Sequence, residues 1–243
     1  MIRSRLAQDF VLAPNVEPRR NGRNVDMLVL HYTGMSSAAA ARDLLCSATS
    51  GVSCHYLVDE TGCITQMVGE EMRAWHAGVS RWQGETDTNS RSIGIEIHNP
   101  GHDGGYRDFP AVQIKAVIAL CRDIVSRHDI APRLVLAHSD VAPGRKIDPG
   151  ERFDWRALHI AGIGHWVKPC GCDGPPLSSL ELAELQGLLK DYGYGVAVTG
   201  IHDTQTLKVL DAFQRHFRPA KVDGVPDRSC LLTARLLATT HTS

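Results

Sequence analysis

The chain has 243 residues, of which 43% are hydrophobic and 22% are charged, with a formal net charge of -1. This length allows one or two domains with a buried core, and the composition is that of a folded protein. No basic excess is present to neutralise a phosphate backbone, so nucleic acid is not an expected partner. No apolar run approaches the roughly 20 residues that span a bilayer. We therefore expect no membrane span, and we expect a monomer.

The cysteines and the first residues bear on the compartment. Seven cysteines follow no framework spacing, which favours reduced thiols over a set of disulfides. The opening residues lack the apolar core and small-residue cleavage site of a secretory signal. Both observations predict a cytoplasmic protein, with the periplasm or cell envelope as the alternative if a leading segment has been removed.

The first third of the chain alternates short strand and helix patterns. Residues 1–26 are polar and predict an irregular lead-in. The apolar run 27–32 predicts a buried strand, and the alanine-rich stretch from about 37 to 48 predicts a helix. Residues 54–68 predict a β-hairpin. Residues 69–91 predict a long polar loop, and loops of that length are often functional.

The segment 92–99 alternates strictly between apolar and other residues, which predicts a strand. Its isoleucines share one face, and Gly94 and Glu96 share the other. A glycine beside an acid on one face indicates close approach to something bound. Further elements follow along the chain: a helix over 109–128, a strand over 133–137 and a short helix over 153–162. The predicted fold is α/β, with a mixed central sheet flanked by helices.

The texture of the sequence changes after residue 164. Residues 165–178 are rich in proline, glycine and serine and predict a linker. The domain before it is then 1–164, and the domain after it is 179–243. Three helical patterns follow the linker, over 179–192, 203–217 and 227–239. They predict a small all-α three-helix domain.

Two histidines and an aspartate form a candidate metal site. His31 lies at the end of one predicted strand, and His138 follows another. Ligands of α/β sheets gather where neighbouring strands end, and Asp148 lies on the Pro/Gly-rich loop after His138. Catalytic zinc takes three protein ligands and leaves a fourth position open. A histidine at a strand end is more often packed or capping, however, so spacing alone leaves both interpretations open.

Five sequence blocks occur together in one order: HYTGM, SCHYLVDETGCITQMV, AWHAGVSRW, NSRSIGIEIHNPG and HSDVAPGRKIDPGERFDW. In this order they resemble the zinc-dependent N-acetylmuramoyl-L-alanine amidases, most closely the AmpD- and AmiD-type bacterial enzymes. That family includes phage amidases and is similar in fold to animal peptidoglycan-recognition proteins. The resemblance covers about residues 27–160.

The resemblance implies one catalytic zinc ion held by His31, His138 and Asp148. It implies that Glu96 is the catalytic acid/base and that Lys146 assists at the developing oxyanion, roles that suit a carboxyl group on a strand face and an ammonium group beside a ligand. Four residues are assigned to the substrate pocket: Tyr56, Trp75, His76 and Asn99.

Two departures from the family pattern matter for the mechanism. Cys54 precedes the His-Tyr pair at the place where phage amidases carry a catalytic tyrosine, which favours Glu96 as the proton-transfer group. Some relatives also carry an arginine before the 92–99 strand, where this chain has Glu85 and Asp87, with Arg91 nearer the strand. Recognition of the peptide carboxylate is therefore left open.

The implied reaction is hydrolysis of the amide between N-acetylmuramic acid, or its 1,6-anhydro form, and L-alanine of peptidoglycan stem peptides, in wall recycling or remodelling. The alternatives are a non-catalytic peptidoglycan-recognition protein and a zinc amidase of other small acyl-amides. The C-terminal helices resemble a peptidoglycan-binding domain through LQGLLKDYGY, AFQRHF and VDG. Peptidoglycan fragments or the whole sacculus are thus the expected partners.

A second metal cluster is conceivable in the predicted linker. His165, Cys170 and Cys172 lie there within eight residues. Three candidate ligands in a Pro/Gly-rich segment fall short of a structural zinc set, so we interpret the cysteines as ordinary thiols.

Overall fold

The computed structural model describes residues 3–171 and 174–240. The strands in this range are β1 (Asp9–Phe10), β2 (Val16–Pro18), β3 (Met27–Tyr32), β4 (Tyr56–Val58), β5 (Ile64–Gln66), β6 (Met72–Ala74), β7 (Ser92–Ile97) and β8 (Val135–Ala137). The α-helices are α1 (Ala38–Leu45), α2 (Thr88–Arg91), α3 (Ala111–His128), α4 (His138–Val141), α5 (Trp155–Ile160), α6 (Ser179–Tyr192), α7 (Thr204–Phe217) and α8 (Arg228–Thr239).

A six-stranded mixed sheet in the order β1-β5-β4-β7-β3-β8 forms the centre of the molecule. The strands β4, β7, β3 and β8 run parallel, so their carboxyl ends meet at one edge. The hairpin β4-β5 is antiparallel, as expected from the sequence. In the register of β3 and β7, His31 lies opposite Glu96. The prediction of a mixed α/β sheet flanked by helices is confirmed.

The two faces of the central sheet pack in different hydrophobic clusters. On β7, Ile93, Ile95 and Ile97 belong to a core cluster with Val117 and Leu120 of α3. On β3, Leu28 and Leu30 join this cluster, whereas Met27 and Val29 belong to a second cluster on the other face. Because side chains alternate along a strand, His31 shares the face of Met27 and Val29.

The helices α6–α8, here called the helical module, cover part of that second face. Leu189 and Phe213 of the module pack in one cluster with Met27, Val29 and Leu136 of the sheet. Each helix has a side-chain N-cap, provided in turn by Ser178, Asp203 and Asp227. The three-helix prediction is confirmed, and the module shares a continuous apolar core with the α/β domain.

Several short elements were missed from the sequence. The lead-in 1–26 is not irregular, because β1 pairs with β5 and β2 pairs with β6. The predicted loop 69–91 contains β6 and α2, and Asp87 caps α2 by accepting from the Ser90 N–H. Elements of two to four residues are too short for a periodic signal, and long-range pairing holds them in place.

Candidate metal centre and cavity

Three ligand atoms converge at the carboxyl edge of the sheet. His31 lies near the end of β3, His138 begins α4 directly after β8, and Asp148 lies on the loop after α4. The two Nδ1 atoms are 2.9 Å apart, and Asp148 Oδ2 lies 3.2 Å from His31 Nδ1 and 3.0 Å from His138 Nδ1. All three residues are buried. The structure thus brings together the three ligands predicted from the sequence.

This triangle fits a zinc ion. Tetrahedral zinc with bonds of about 2.0 Å needs ligand atoms about 3.3 Å apart, close to the three separations seen here. Burial lowers the pKa of His31 to about 4, so this imidazole is a neutral donor at pH 7. Two imidazoles and one carboxylate match an open zinc site.

The outer nitrogen of each histidine ligand is also bound. His31 Nε2 lies 2.9 Å from His76 Nδ1, His76 Nε2 lies 3.0 Å from Ser92 Oγ, and Ser92 Oγ donates to the Thr88 carbonyl at 2.7 Å. The Thr88 carbonyl can only accept a hydrogen bond. Each N–H or O–H in this series of hydrogen bonds therefore points away from the metal centre. His31 Nδ1 is then left with a free lone pair, as ligation requires.

The second histidine ligand is oriented by the backbone. His138 Nε2 lies 3.0 Å from the carbonyl oxygen of Ala77, which fixes the proton on Nε2 and frees Nδ1. The Arg145 guanidinium donates to the same carbonyl and to that of Val79. The loop after β6 therefore supports one ligand through His76 and the other through Ala77.

Glu96 and Lys146 line the cavity into which the ligand triangle opens. Glu96 Oε2 is buried and has no hydrogen-bond partner among the described residues. Burial raises the pKa of Glu96 well above its usual value, the Asp148 carboxylate adds to this, and Lys146 opposes it. The protonated form of Glu96 is thus favoured more strongly than that of an ordinary exposed glutamate.

The cavity has a volume of about 490 Å³ and two chemically different ends. His138, Asp148, Glu96 and Lys146 form the polar end. Met35, Leu44 and Val52 line an apolar wall. The indole N–H of Trp75, another lining residue, is buried and finds no acceptor within residues 3–171 and 174–240. A ligand that combines a polar reacting group with apolar surface suits this shape.

The predicted pocket residues fall into two groups. Trp75 and His76 line the cavity, although His76 also supports a ligand histidine. Tyr56 does not line the cavity, because it is fully buried and its hydroxyl donates to Glu70 at 2.5 Å. Asn99 is also absent from the lining, and its amide donates to the Arg107 carbonyl at 2.8 Å. The structure thus gives Tyr56 and Asn99 structural contacts in place of the predicted substrate contacts.

Gly94 was interpreted as a place where something bound approaches the strand. The structure shows that the approaching group is the His76 ring, because a Cβ on Gly94 would lie 2.6 Å from its Cγ. The Gly94 N–H also donates to His55 Nδ1 at 3.0 Å. The glycine makes room for the residue that orients His31, and this is a packing reason for its position.

The charged residues before β7 point away from the cavity. Arg91 pairs with Asp26 at 2.7 Å, while Asp87 contacts Arg73. Glu85 pairs with Arg23. Among the described residues, the arginine that lines the cavity is Arg145, on the loop between the two later ligands.

A second buried aspartate lies in α4, two residues after His138, and sequence reasoning missed its partners. Asp140 is fully buried and accepts from the Tyr194 hydroxyl at 2.5 Å and from His216 Nδ1 at 2.7 Å. Its Oδ2 also accepts from the Ala137 N–H at 2.8 Å. The helical module therefore contacts the turn that carries His138. Asp140 follows the histidine in HSD, but no sequence signal links it to partners more than 50 residues away.

The conceivable linker cluster is not assembled around His165. Its Nδ1 lies 3.1 Å from the Tyr192 hydroxyl, and its Nε2 lies 2.7 Å from Thr240 Oγ1. Cys172 lies outside the described residues. Within the described ranges, the group able to hold a metal is His31, His138 and Asp148.

Two histidines and one aspartate that could hold a metal ion, beside a carboxyl group of raised pKa in a cavity, are typical of metal-dependent hydrolases. Comparison with known proteins gives the family. Residues 21–151 match the family described as N-acetylmuramoyl-L-alanine amidase, and residues 178–232 match the family described as a peptidoglycan binding domain. Among the described residues, no helix combines the length and apolar character that a membrane crossing requires.

The similar proteins are amidases. The chain is 37% identical to the N-acetylmuramoyl-L-alanine amidase AmiD of Escherichia coli, over 88% of this chain and 82% of that protein. It is 30% identical to the 1,6-anhydro-N-acetylmuramyl-L-alanine amidase AmpD of Haemophilus influenzae, over 60% of this chain and 86% of that protein.

Solved structures agree. A complex of E. coli AmiD with the substrate anhydro-N-acetylmuramic acid-L-Ala-D-gamma-Glu-L-Lys has a TM-score of 0.80 at 34% identity and covers 93% of each chain. Pseudomonas aeruginosa AMPDH3 with an anhydromuramic pentapeptide has a TM-score of 0.78 at 34% identity, covering 93% of this chain and 96% of that one. The chain belongs to the N-acetylmuramoyl-L-alanine amidase family, and it is an enzyme of that type.

Proposed function

We propose that the chain hydrolyses the amide between N-acetylmuramic acid and L-alanine with one zinc ion held by His31, His138 and Asp148. The ligand triangle, which opens into a cavity beside Glu96, is the observation that carries this proposal. A zinc ion there would supply Lewis acidity toward water and toward an amide carbonyl. The complete ligand set favours an enzyme over a non-catalytic recognition protein.

Glu96 acts as the general base and then as the general acid. It lies opposite His31 in the strand register, and one of its carboxyl oxygens has no protein partner. In its ionised form it takes a proton from the attacking water. Its raised pKa lets it keep that proton until the C–N bond breaks, and it passes the proton to the leaving nitrogen in that step.

Lys146 stabilises the negative charge that develops on the carbonyl oxygen. It lines the same cavity, two residues before Asp148, and its backbone N–H donates to the Ala142 carbonyl at 3.0 Å. The loop is thereby held close to α4. A fixed cation in a partly dry cavity is worth more to a developing anion than the same charge in water.

We further propose that the substrate is a muropeptide with the 1,6-anhydro sugar and that the helical module binds the sacculus. The first point is supported by the anhydro sugars in the two similar complexes. The second is supported by the match of residues 178–232 to a peptidoglycan binding domain. The domain bounds of 1–164 and 179–243 stay predictions. A cytoplasmic location and binding to the sacculus are alternatives, because the sacculus lies outside the cytoplasm. Preference for soluble muropeptides over whole sacculi would favour the cytoplasmic role.

Glu96→Gln tests the mechanism most directly. The amide cannot accept the proton of water, so kcat on an anhydro-muropeptide should fall by about 10²- to 10⁴-fold. Zinc content should stay at about one ion per chain, because the ligands are unchanged. Glu60→Gln, at an exposed site on the hairpin turn, is the control and should leave both readings unaltered.

Chelation separates the proposal from its rivals. Removing the metal should abolish hydrolysis, and adding zinc should restore it. Turnover that ignores chelation, or an undiminished rate in Glu96→Gln, contradicts the assigned roles. Equal cleavage of simple acyl-amides would favour the broader zinc amidase.

A further inference from the structure

A groove lies where the α/β domain meets the helical module, outside the catalytic cavity. It consists of two adjoining parts of about 720 Å³ and 500 Å³, which share Arg81, Gly195 and Gln205. Four cationic side chains line it: Arg81, Arg133, Lys190 and Lys208. Asp191 is the acidic residue of the lining, so the groove, here called the seam groove, carries a net positive charge.

Among the described residues, the four cationic side chains of the seam groove are unpaired, whereas most other arginines are paired with a carboxylate. Arg91, Arg127 and Arg215, for example, are each paired with a carboxylate. Within residues 3–171 and 174–240, the side chains of the four groove cations form neither a hydrogen bond nor an ion pair. Unpaired cations gathered in a concave surface attract anions and raise their local concentration.

The wall that carries Arg81 is held by both parts of the molecule. The Arg81 N–H donates to the Val141 carbonyl at 2.7 Å, and the Gln83 N–H donates to the Gly193 carbonyl at 2.9 Å. The Arg81 stem packs over Gly195, where a Cβ would lie 3.4 Å from its Cδ. The guanidinium is therefore presented from a fixed backbone, which lowers the entropic cost of binding.

The seam groove adjoins the catalytic loop. Pro143 lines the groove, and the next residue, Gly144, lines the catalytic cavity. Lys208 packs on this loop so closely that a Cβ on Gly144 would lie 2.4 Å from its Cδ. A polymer with its reacting amide in the cavity can therefore extend past residues 143–144 into the seam groove.

We propose that the seam groove binds the carboxylates of a second stem peptide on the peptidoglycan polymer, next to the stem whose amide is cut. This inference rests on the proposed function. Stem peptides of the kind bound to AmiD contain a γ-linked D-glutamate, and that linkage leaves the α-carboxylate free. A row of unpaired cations suits such repeated carboxylates. A muropeptide with a single stem lacks this second set of carboxylates, so the groove adds affinity for polymer.

Binding to purified sacculi tests this proposal. The full-length chain with Glu96→Gln serves as the background, so that the sacculi are not consumed. Adding Arg81→Gln and Lys190→Gln should weaken co-sedimentation about tenfold and flatten its dependence on salt, because two exposed charge contacts are removed. Lys115→Gln with Arg156→Gln is the matched control, since both are exposed cations outside the groove, and it should bind as the background does.

A second ligand makes the test specific for carboxylates. Sacculi whose carboxyl groups have been amidated should bind the background protein about as weakly as native sacculi bind the groove variant. Thermal melting of each variant checks that it is folded.

Three outcomes overturn the proposal. The first is equal binding of the groove variant and the control variant to sacculi. The second is the same tenfold loss in the groove variant, relative to the background protein, on amidated sacculi. The third is tighter binding of the background protein to phosphatidylglycerol vesicles than to sacculi. Failure of the proposed function is seen separately, as a wild-type chain that binds sacculi but cleaves no muropeptide.

Discussion

Asp148 and Asp140 lie eight residues apart, and both are buried acids that meet histidine. Asp148 contacts His31 and His138 through Oδ2, and Asp148 and His138 line the catalytic cavity. Asp140 uses both oxygens, because Tyr194 donates to Oδ1 and His216 to Oδ2. Asp140 does not line the catalytic cavity.

The difference shows what turns a buried acid into a metal ligand. At Asp140 every partner has a proton to donate, so the carboxylate is satisfied by the protein. At Asp148 the neighbouring atoms are histidine nitrogens whose protons are held on the far side by His76 and Ala77. Lone pairs that face one another are unfavourable until a cation lies between them. Asp148 is arranged to bind a metal, and Asp140 is arranged to anchor the helical module.

The largest effect is expected when the metal site is disrupted at Asp148. In Asp148→Ala, one of three ligands is lost, so zinc affinity and kcat/KM should each fall by more than about 100-fold, beyond what outer contacts of a site typically cost. Stability without metal should change little or rise, because crowded lone pairs are relieved. Metal analysis, kinetics and chelated melting measure the three quantities. Full zinc occupancy in the variant would remove Asp148 from the ligand set.

Asp140→Ala removes the carboxylate that anchors the helical module to α4. It leaves the Tyr194 hydroxyl and His216 buried without their acceptor, which should cost about 3–5 kcal/mol in free energy of unfolding. Urea unfolding measures this loss. Asp43→Ala, at an exposed site on α1, is a control with a far smaller expected cost. A loss below about 1 kcal/mol would mean that the anchor contributes little.

Acidic pH should destabilise the folded chain, because histidines buried near the metal centre, such as His55, are neutral when folded. His55 accepts from the Gly94 N–H, and its Nε2 lies 3.1 Å from the Met72 carbonyl. Burial, assisted by Arg19, lowers the pKa of His55 to about 3. Below its unfolded pKa of about 6.5, the unfolded chain binds a proton that the folded chain refuses, so stability falls as pH falls toward 3.

Between pH 7 and pH 5 this amounts to about 2 kcal/mol for one such histidine. Urea unfolding at pH 7 and pH 5 measures it. His55→Gln cannot take up a proton and should lose about 2 kcal/mol less than wild type over this interval. An equal loss in both proteins would place the pH dependence elsewhere.

Tyr194→Phe gives the smallest expected effect and asks whether the anchor reaches the metal centre. The ring keeps its contact with Trp82, whose centroid lies 4.9 Å away, while the hydrogen bond to Asp140 is lost. Stability should fall by about 1.5 kcal/mol, as expected for a bond to a charged acceptor. Zinc affinity should fall less than tenfold, because His216 still holds Asp140. A larger change in zinc Kd would show tight coupling of α4 to the ligand geometry.

The elements that could be predicted from the sequence are those with a long periodic pattern or a recognisable motif. The strand of His31, the strand of Glu96 and the helix over 111–128 have clear periodicity, and motif order placed the three ligand candidates. Strands of two or three residues, such as β1 and β6, depend on partners far along the chain. The interpretation of Gly94 failed because the approaching group is a side chain of the protein itself.

Long-range side-chain partners were out of reach for a related reason. Tyr56 lies in the same block as motif residues, yet its direction in β4 aims the hydroxyl at Glu70 in the interior. Asp140 meets Tyr194 and His216 only because the helical module folds back onto the sheet. Neither contact has a local signal, since each depends on how distant segments pack.

The alternation along β3 sets a limit on how freely the protein can be dissected. Met27 and Val29 lie against the helical module on the same strand face that ends in His31. A fragment ending at residue 164 would expose these side chains together with Leu136, giving an apolar patch next to its catalytic residues. Engineers who want a minimal wall-degrading enzyme from this scaffold would need to replace that patch with polar residues, or keep α6–α8 as a permanent cover.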